Sequence, residues 1–248
     1  MIENNIFTAS MKSIIGTRNE QQDACFLHIE GGELFALVCD GMGGLRGGKA
    51  ASLIASERMK KLFFSKSPET PYPDFFLSAV DILDECVFHL KSTEGESLAA
   101  GTTITAVAAD GNKLYWLSVG DSRLYIIRGN EIARATRDHN IHLALKNKSS
   151  ESGIRCSHAS RGDALISFIG IGGIQLMDIN KTAFLMMPKD KILLTTDGLF
   201  KILSDIEILE CMKGNTPVDA LEALFCNIAN KPLESQDNTT CVSFMFSP

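Results

Sequence analysis

The chain has 248 residues, 45% of them hydrophobic and 22% charged, with 24 basic against 30 acidic side chains and a formal net charge of −6. This is ordinary globular composition, long enough to bury a large core without disulfides or a structural metal, and it lacks the basic excess that nucleic-acid binding draws on. The seven cysteines are odd in number and form no CxxC pair, which argues against a disulfide framework and a zinc ribbon; within apolar runs they read as small, inert, buried hydrophobes. The opening residues, MIENNIFTASMKSIIG, have no basic start followed by a long apolar core, so no signal peptide is expected. No apolar run reaches the ~20 residues that span a membrane. No proline-rich, serine-rich or charged linker interrupts the sequence. The expectation is a cytoplasmic monomer with one domain over residues 1–248.

In chain order, residues 10–29 read as strand, turn, strand. Residues 24–29 (ACFLHI) and 33–39 pair as a hairpin through Gly31-Gly32. From Lys49 the apolar positions Ala51, Ile54, Ala55, Met59, Leu62 and Phe63 recur at helical spacing. A second amphipathic helix is expected after Pro73, with Phe76, Ala79, Val80, Leu83, Cys86, Val87 and Leu90 on one face. Residues 101–136 read as an antiparallel meander. Its strands are 103–109, 113–119 with the lone Trp116, 123–128 and 131–136, joined by turns at Asp110-Gly111-Asn112 and Gly129-Asn130. Residues 140–165 are polar, without period, and read as a surface flap. Strand-like pieces return at 175–179, 183–187 and 191–196. Ser204 and Glu207 form a capping box that starts a short helix, and Thr216-Pro217 starts another, with Val218, Leu221, Leu224, Phe225 and Ile228 inward. Residues 239–246 close the chain as a strand. Helices in separated pairs around antiparallel strands indicate an α+β fold in layers.

Five aspartates fall at strand ends: Asp23 at the head of one, Asp40 and Asp197 each after a buried apolar run and before a glycine, Asp121 after Val119-Gly120, and Asp237 before the last strand. Carboxylates gathered in this way repel one another unless a cation neutralises them, and oxygen-only ligands suit Mg²⁺ or Mn²⁺. Asp-Gly is also a common turn, and Asp110-Gly111 reads as a turn alone. On spacing, the turn and metal readings of Asp40 and Asp197 stand level. Two other patterns fail on detail. Gly43, Gly48 and Lys49 satisfy G-x-x-x-x-G-K, but Ala50 stands where a P-loop needs Ser or Thr; a phosphate-cradling, nucleotide-binding loop remains the weaker alternative. Cys156 and Arg161 have four residues between them, one fewer than a cysteine-phosphatase loop requires.

The motifs TRNEQQDACF (17–26), VCDGMGG (38–44), GTT (101–103), SVGDSRLYIIRG (118–129), TRDH (136–139), LLTTDGL (193–199) and DNTT (237–240) occur in the order found in one family. The chain resembles the metal-dependent serine/threonine protein phosphatases of the PP2C (PPM) type, in their compact bacterial form. The resemblance implies a four-layer α/β/β/α sandwich of two antiparallel sheets flanked by helices, with a site for two Mn²⁺ or Mg²⁺ ions at one edge. Asp40 matches the carboxylate that bridges the two metals, with the Gly41 carbonyl completing one coordination sphere. Asp197 and Asp237 resemble ligands of the metal on the other side, and Asp23 an acid that binds directly or through water. Asp121 matches the acid that, with Asp197, holds a third, weaker metal. Arg18 matches the arginine that receives the substrate phosphate, and Thr102, His139 and Asn238 match structural supports. Three departures stand out: Gln21-Gln22 before Asp23, Met42 where eukaryotic relatives carry a histidine acid, and a flap at 140–165 that matches least.

The expected chemistry follows. Two divalent ions bridging one water lower its pKa from ~16 towards ~7, and the hydroxide attacks phosphorus in line while Arg18 grips two phosphate oxygens. Asp40, Asp197 and Arg18 are thus the candidate catalytic residues, and the substrates are phosphoserine or phosphothreonine on proteins modified by a serine/threonine kinase. A small regulatory phosphoprotein of the anti-sigma-factor-antagonist type is the alternative substrate. A metal-free binding module of the same fold is a further reading, against which the intact aspartates argue.

Overall fold

Strand β4, Glu33–Asp40, is buried along its whole interior, the pattern of a strand covered on both faces. Its alternate residues part cleanly between two cores. Phe35, Leu37 and Cys39 pack under helices α1 (Gly48–Phe64) and α2 (Tyr72–Phe88), while Leu34, Ala36 and Val38 face a second sheet. This two-sided burial sets the layer order. The structure is a computed structural model and describes residues 2–3, 6–42, 47–92, 95–143, 164–231 and 234–248.

The sheet holding β4 contains β3 (Asp23–Glu30), β5 (Ile104–Asp110), β6 (Lys113–Val119), β9 (Asp178–Ile179) and β10 (Phe184–Leu185). Its order is β10-β6-β5-β4-β3, with β9 also paired to β6. The other sheet runs β1-β2-β12-β11-β7-β8. Its members are β1 (Ile2–Glu3), β2 (Phe7–Ile14), β7 (Arg123–Arg128), β8 (Glu131–Arg134), β11 (Lys191–Thr195) and β12 (Thr239–Phe246). Every strand pairing is antiparallel. Between the sheets lie Phe7, Val107, Leu124, Ile192, Leu194, Val242 and Phe244. On the outer face of the second sheet, Tyr125, Leu193 and Cys241 pack against α3 (Asp197–Phe200), α4 (Asp205–Met212) and α5 (Pro217–Ala229) through Leu199, Ile208, Leu221 and Leu224. The result is the expected α/β/β/α sandwich.

Local signals were met closely. The β3–β4 hairpin turns at Gly31-Gly32, and Ser204 and Glu207 form the reciprocal capping box. Thr216 caps α5, with Pro217 in its first turn. Helix α2 begins at Tyr72, one residue ahead of Pro73, because a proline in the first turn forfeits no hydrogen bond. It ends at Phe88, so Leu90 packs on the core from just beyond it. The expected strands at 175–179 and 183–187 shrink to two paired residues each, and 131–136 to Glu131–Arg134. Trp116 lies partly buried beside the inter-sheet core. Among the described cysteines, Cys39, Cys211 and Cys241 are buried, Cys25 and Cys86 intermediate, and Cys226 exposed, all as free thiols. Cys226 departs from the expected burial because it lies on the solvent side of α5, away from Phe225. The flap residues 144–163, with Cys156, His158 and Arg161, and loop residues 43–46 lie outside the described residues.

Candidate active site

Antiparallel pairing places the start of one strand beside the end of its neighbour, and this carries separated aspartates to one edge. Asp23 and Asp40 are direct cross-strand partners at the end of the β3–β4 ladder. Thr103, just ahead of β5, locks Asp40 in place: its N–H donates to the Asp40 carbonyl (2.9 Å), and its Oγ1 accepts from the Asp40 N–H (3.0 Å). Thr102 Oγ1 donates to the same carbonyl (2.9 Å). Val119 pairs with Ile104, so Asp121 leaves β6 at this edge as well. In the second sheet, Thr195 pairs with Cys241 and the Thr196 N–H donates to the Thr240 carbonyl (3.0 Å), which brings Asp197 and Asp237 together. Thr196 Oγ1 then crosses between the sheets to donate to Asp23 Oδ2 (2.8 Å).

Two glycines are required by close approach. A Cβ at Gly41 would overlap the carbonyls of Gly48 and Gln22, and one at Gly198 would overlap the Asn238 carbonyl and Thr239 Oγ1. The glycine after each strand-end aspartate is therefore where the backbone passes tightly beneath the site. The Gly41 N–H donates to the Gln22 carbonyl (3.1 Å).

The electrostatics are those of crowded carboxylates. Burial, with Asp197 and Asp237 adding, pushes the Asp23 carboxyl up to about 7, although hydrogen bonds from Thr240 and Thr196 pull the other way. Asp121 is likewise raised to about 7 by burial and by Asp197, with Lys201 opposing. The protein packed around Asp40 pushes it well above the carboxylate range, and Asp197, Asp23, Asp121 and Asp237 add to the push. Two buried oxygens, Asp23 Oδ1 and Asp197 Oδ1, have no hydrogen-bond partner.

Two cations border the cluster. Arg18 Nη2 donates to Asp237 Oδ2 (2.7 Å) from a half-exposed position, and Lys201 Nζ pairs with Asp197 Oδ2. Arg18, Asp40, Gly41 and Asp237, with Asn19, Glu20, Gln22 and Asn238, line a cleft of about 230 Å³. The supporting residues act through backbone. Asn238 Oδ1 accepts from the Gln22 N–H (2.8 Å), while its Nδ2 donates to the carbonyls of Ile15 (2.8 Å) and Glu20 (3.1 Å). Buried His139 accepts at Nδ1 from the Gly120 N–H (3.1 Å), directly before Asp121.

Among the described residues, no three His, Cys, Asp or Glu side chains stand close enough as they are to enclose a metal ion. The donor set nevertheless fits a hard divalent cation. It is all oxygen, it holds two unsatisfied buried carboxylate oxygens, and Asp23, Asp40 and Asp121 are raised by burial and by the neighbouring carboxylates.

The family model for protein phosphatase 2C matches residues 12–232. The chain belongs to the protein phosphatase 2C family. A putative protein phosphatase of Mycoplasma pneumoniae is 27% identical over 208 residues, covering 80% of each chain. The serine/threonine phosphatase stp of Listeria monocytogenes is 26% identical over 208 residues, 82% of this chain and 81% of that one. Among solved structures, the catalytic domain of the serine/threonine phosphatase PstP in complex with two manganese ions superposes with a TM-score of 0.75 at 23% identity, covering 98% of this chain and 99% of that one.

In this phosphatase the residues singled out from sequence, Asp23, Asp40, Gly41, Asp121, Asp197, Asp237 and Arg18, all lie at the one edge. Lys49, the apparent P-loop lysine, instead pairs with Glu20 (3.1 Å) on the first turn of α1, and β4 lies between antiparallel neighbours rather than in a βαβ unit. Sequence reading missed Thr196, Thr103 and Lys201. Only Lys201 left a signal, since it lies four residues after Asp197 in helical sequence, where side chains meet.

Proposed function

We propose that this phosphatase removes phosphate from phosphoserine and phosphothreonine on protein substrates with two divalent cations, Mn²⁺ or Mg²⁺. Asp40 and the Gly41 carbonyl, with Asp23, would hold one side of the pair, and Asp197 and Asp237 the other. When bound, the cations supply an acidified water and neutralise charge on the phosphoryl group. The chain's own residues do the rest. Arg18 presents a planar guanidinium at the mouth of the cleft, fitted to grip two phosphate oxygens. Its present partner, Asp237, is a proposed metal ligand, so a cation held there would leave the guanidinium free for substrate. Thr103 and Thr102 fix the Asp40 backbone, and Thr196 fixes Asp23. The single observation that carries this reading is five aspartates gathered at one edge of the sandwich, three of them (Asp23, Asp40 and Asp121) raised by burial and by their neighbours, with two oxygens unsatisfied. Free thiols fit a reducing compartment such as the cytoplasm, and a serine/threonine kinase must supply the substrates. The test is hydrolysis of a phosphothreonine peptide and of ATP with and without Mn²⁺, for the wild type and Asp197→Asn. Manganese-dependent peptide turnover that Asp197→Asn abolishes is expected. Undiminished turnover by that variant refutes the assignment, and metal-independent ATP hydrolysis refutes the function.

A further inference from the structure

Among the buried residues of α2, Asp84 alone carries a carboxylate, between Leu83 and Val87 on the face that packs into the core. Burying it is costly unless hydrogen bonds replace its water. The replacements are three backbone N–H groups of one short segment. Gly170 (2.6 Å) and Gly172 (3.3 Å) donate to Oδ1, and Gly173 (2.6 Å) donates to Oδ2. All three glycines have positive φ (101°, 79° and 126°), which turns their N–H groups into one concavity suited to an anion. The chain fills that concavity with its own carboxylate. The segment held in this way leads directly to the site. Ile169 and Thr102 exchange both backbone hydrogen bonds (3.0 and 2.9 Å), and Thr102 bridges Gly41 on its other side. Thr102 Oγ1 also donates to the Asp40 carbonyl (2.9 Å). A line of hydrogen bonds therefore runs from α2 to the backbone of Asp40 and Gly41.

We propose that Asp84 is a positioning residue: it anchors residues 169–173 to α2 and, through Thr102, holds the Asp40 carboxylate and the Gly41 carbonyl at the spacing a cation needs. The proposal rests on the two-metal reading of the site. Helix α2 has 17 residues and packs on the sheet through Phe76, Val80 and Leu83, so it is a fixed reference for a loop. Apolar packing would hold that loop with little direction, whereas hydrogen bonds weaken steeply with angle. Arg18 lies outside this line. Its loop is tied instead to Asn238 through Ile15 and Glu20, and to Gln236 through Thr17. Asp84 therefore governs metal affinity and turnover, and not the grip on phosphate.

The test uses the full chain as wild type, Asp84→Ala, Asp84→Asn and, for comparison, Asp190→Asn. Asp190 is also buried and hydrogen-bonded, to Arg128 and to the Met187 N–H (2.8 Å each), but it precedes β11 at the end remote from Asp197. Urea unfolding verifies that each variant is folded. Hydrogen exchange in chelator reads the line without metal: the Thr102 and Thr103 amides are expected to exchange faster in Asp84→Ala than in the wild type, and no faster in Asp190→Asn. Equilibrium dialysis is expected to show Mn²⁺ binding weakened about tenfold by Asp84→Ala, the lower end of what outer-shell partners of a ligand contribute. Turnover is expected to fall through kcat, with KM for a phosphothreonine peptide kept. Asp84→Asn keeps one oxygen acceptor and is expected to fall between Asp84→Ala and the wild type; it carries the measurement if Asp84→Ala does not fold. A folded Asp84 variant with wild-type Mn²⁺ affinity and kcat overturns the positioning role, as do equal losses in Asp190→Asn. A wild type that takes up no Mn²⁺ overturns the two-metal reading beneath it instead.

Discussion

Replacing Asp40 with asparagine is expected to stabilise the metal-free protein while abolishing turnover. Asp40 faces Asp23 across the strand pair and feels Asp197, Asp121 and Asp237 as well. Asp23 and Asp121 rise from an ordinary 3.8 to about 7, and Asp40 is pushed well above 3.8. Each pKa unit is worth ~1.4 kcal/mol, so roughly three units set a ceiling near ~4 kcal/mol for ionising one such carboxyl in the folded state. Because Asp40 is pushed in the same direction, Asp40→Asn is expected to be a gain, and each ~1 kcal/mol of it raises Tm by ~2–4 °C for a chain of this size. The sign follows from linkage. An acid whose folded pKa lies above its unfolded value keeps the extra proton when folded, so stability falls as pH rises between the two. The penalty is absent below about pH 4 and complete above the raised folded values. Thermal melts in chelator at low ionic strength measure it: the variant's advantage grows from pH 5 to pH 8. Saturating Mn²⁺ reverses the order, because each of the two ions bound at a hundredfold over Kd returns ~2.7 kcal/mol to the wild type. A variant no more stable than the wild type at pH 8 in chelator, or one whose advantage ignores pH, refutes the reasoning.

Arg18→Ala is expected to raise KM for a phosphopeptide about 10- to 100-fold, the worth of a charge-assisted hydrogen-bonded grip, with a smaller change in manganese affinity; an unchanged KM counts against the phosphate role. Asp84, buried on α2, accepts backbone hydrogen bonds from Gly170 and Gly173 at 2.6 Å each. Asp84→Asn should therefore cost ~1.5–3 kcal/mol, read as a lower urea midpoint, and an unmoved midpoint sinks that account. Cys156→Ser should leave hydrolysis intact, whereas a dead variant reopens a thiol mechanism.

The layers were legible because each strand and helix carries its own period. The alternation Leu34/Ala36/Val38 against Phe35/Leu37/Cys39 is a run of six apolar residues in sequence, and becomes two faces only when the strand is covered on both sides. The aspartates were legible as strand ends but not as a cluster. Convergence depends on register, such as Asp23 opposite Asp40 and Thr195 opposite Cys241, and register is a property of pairs of segments. The hydroxyls beneath the site were harder to read for a related reason: Thr103, Thr196 and Thr240 look like ordinary β-branched strand residues, and Thr102 stood out only through the family resemblance. The short pieces at Asp178–Ile179 and Phe184–Leu185 were overestimated because each pairs only with β6, at the margin of its sheet.

Those threonines give a reason why the site sits where two sheets meet. Valine would fill the same space, yet four of these positions use the hydroxyl. Thr196 receives the Thr240 N–H (2.9 Å) and passes its own proton across to Asp23 Oδ2, and Thr240 bonds Ser13 on β2 (2.8 Å). Thr103 bonds Ser122 (2.7 Å), in the turn that carries Asp121. Asn238 ties β12 to the loop bearing Arg18 through Gln22 and Glu20. The inter-sheet core is apolar and tolerates small slips, since dispersion contacts carry little direction. Hydrogen bonds do not tolerate them, because they weaken steeply with angle. A relative shift of the sheets is therefore resisted most at the edge where the carboxylates must keep their spacing. The same polar stitching satisfies one oxygen of Asp23 and leaves the other bare, so the fold contributes orientation to the cluster and leaves its charge to be balanced by cations.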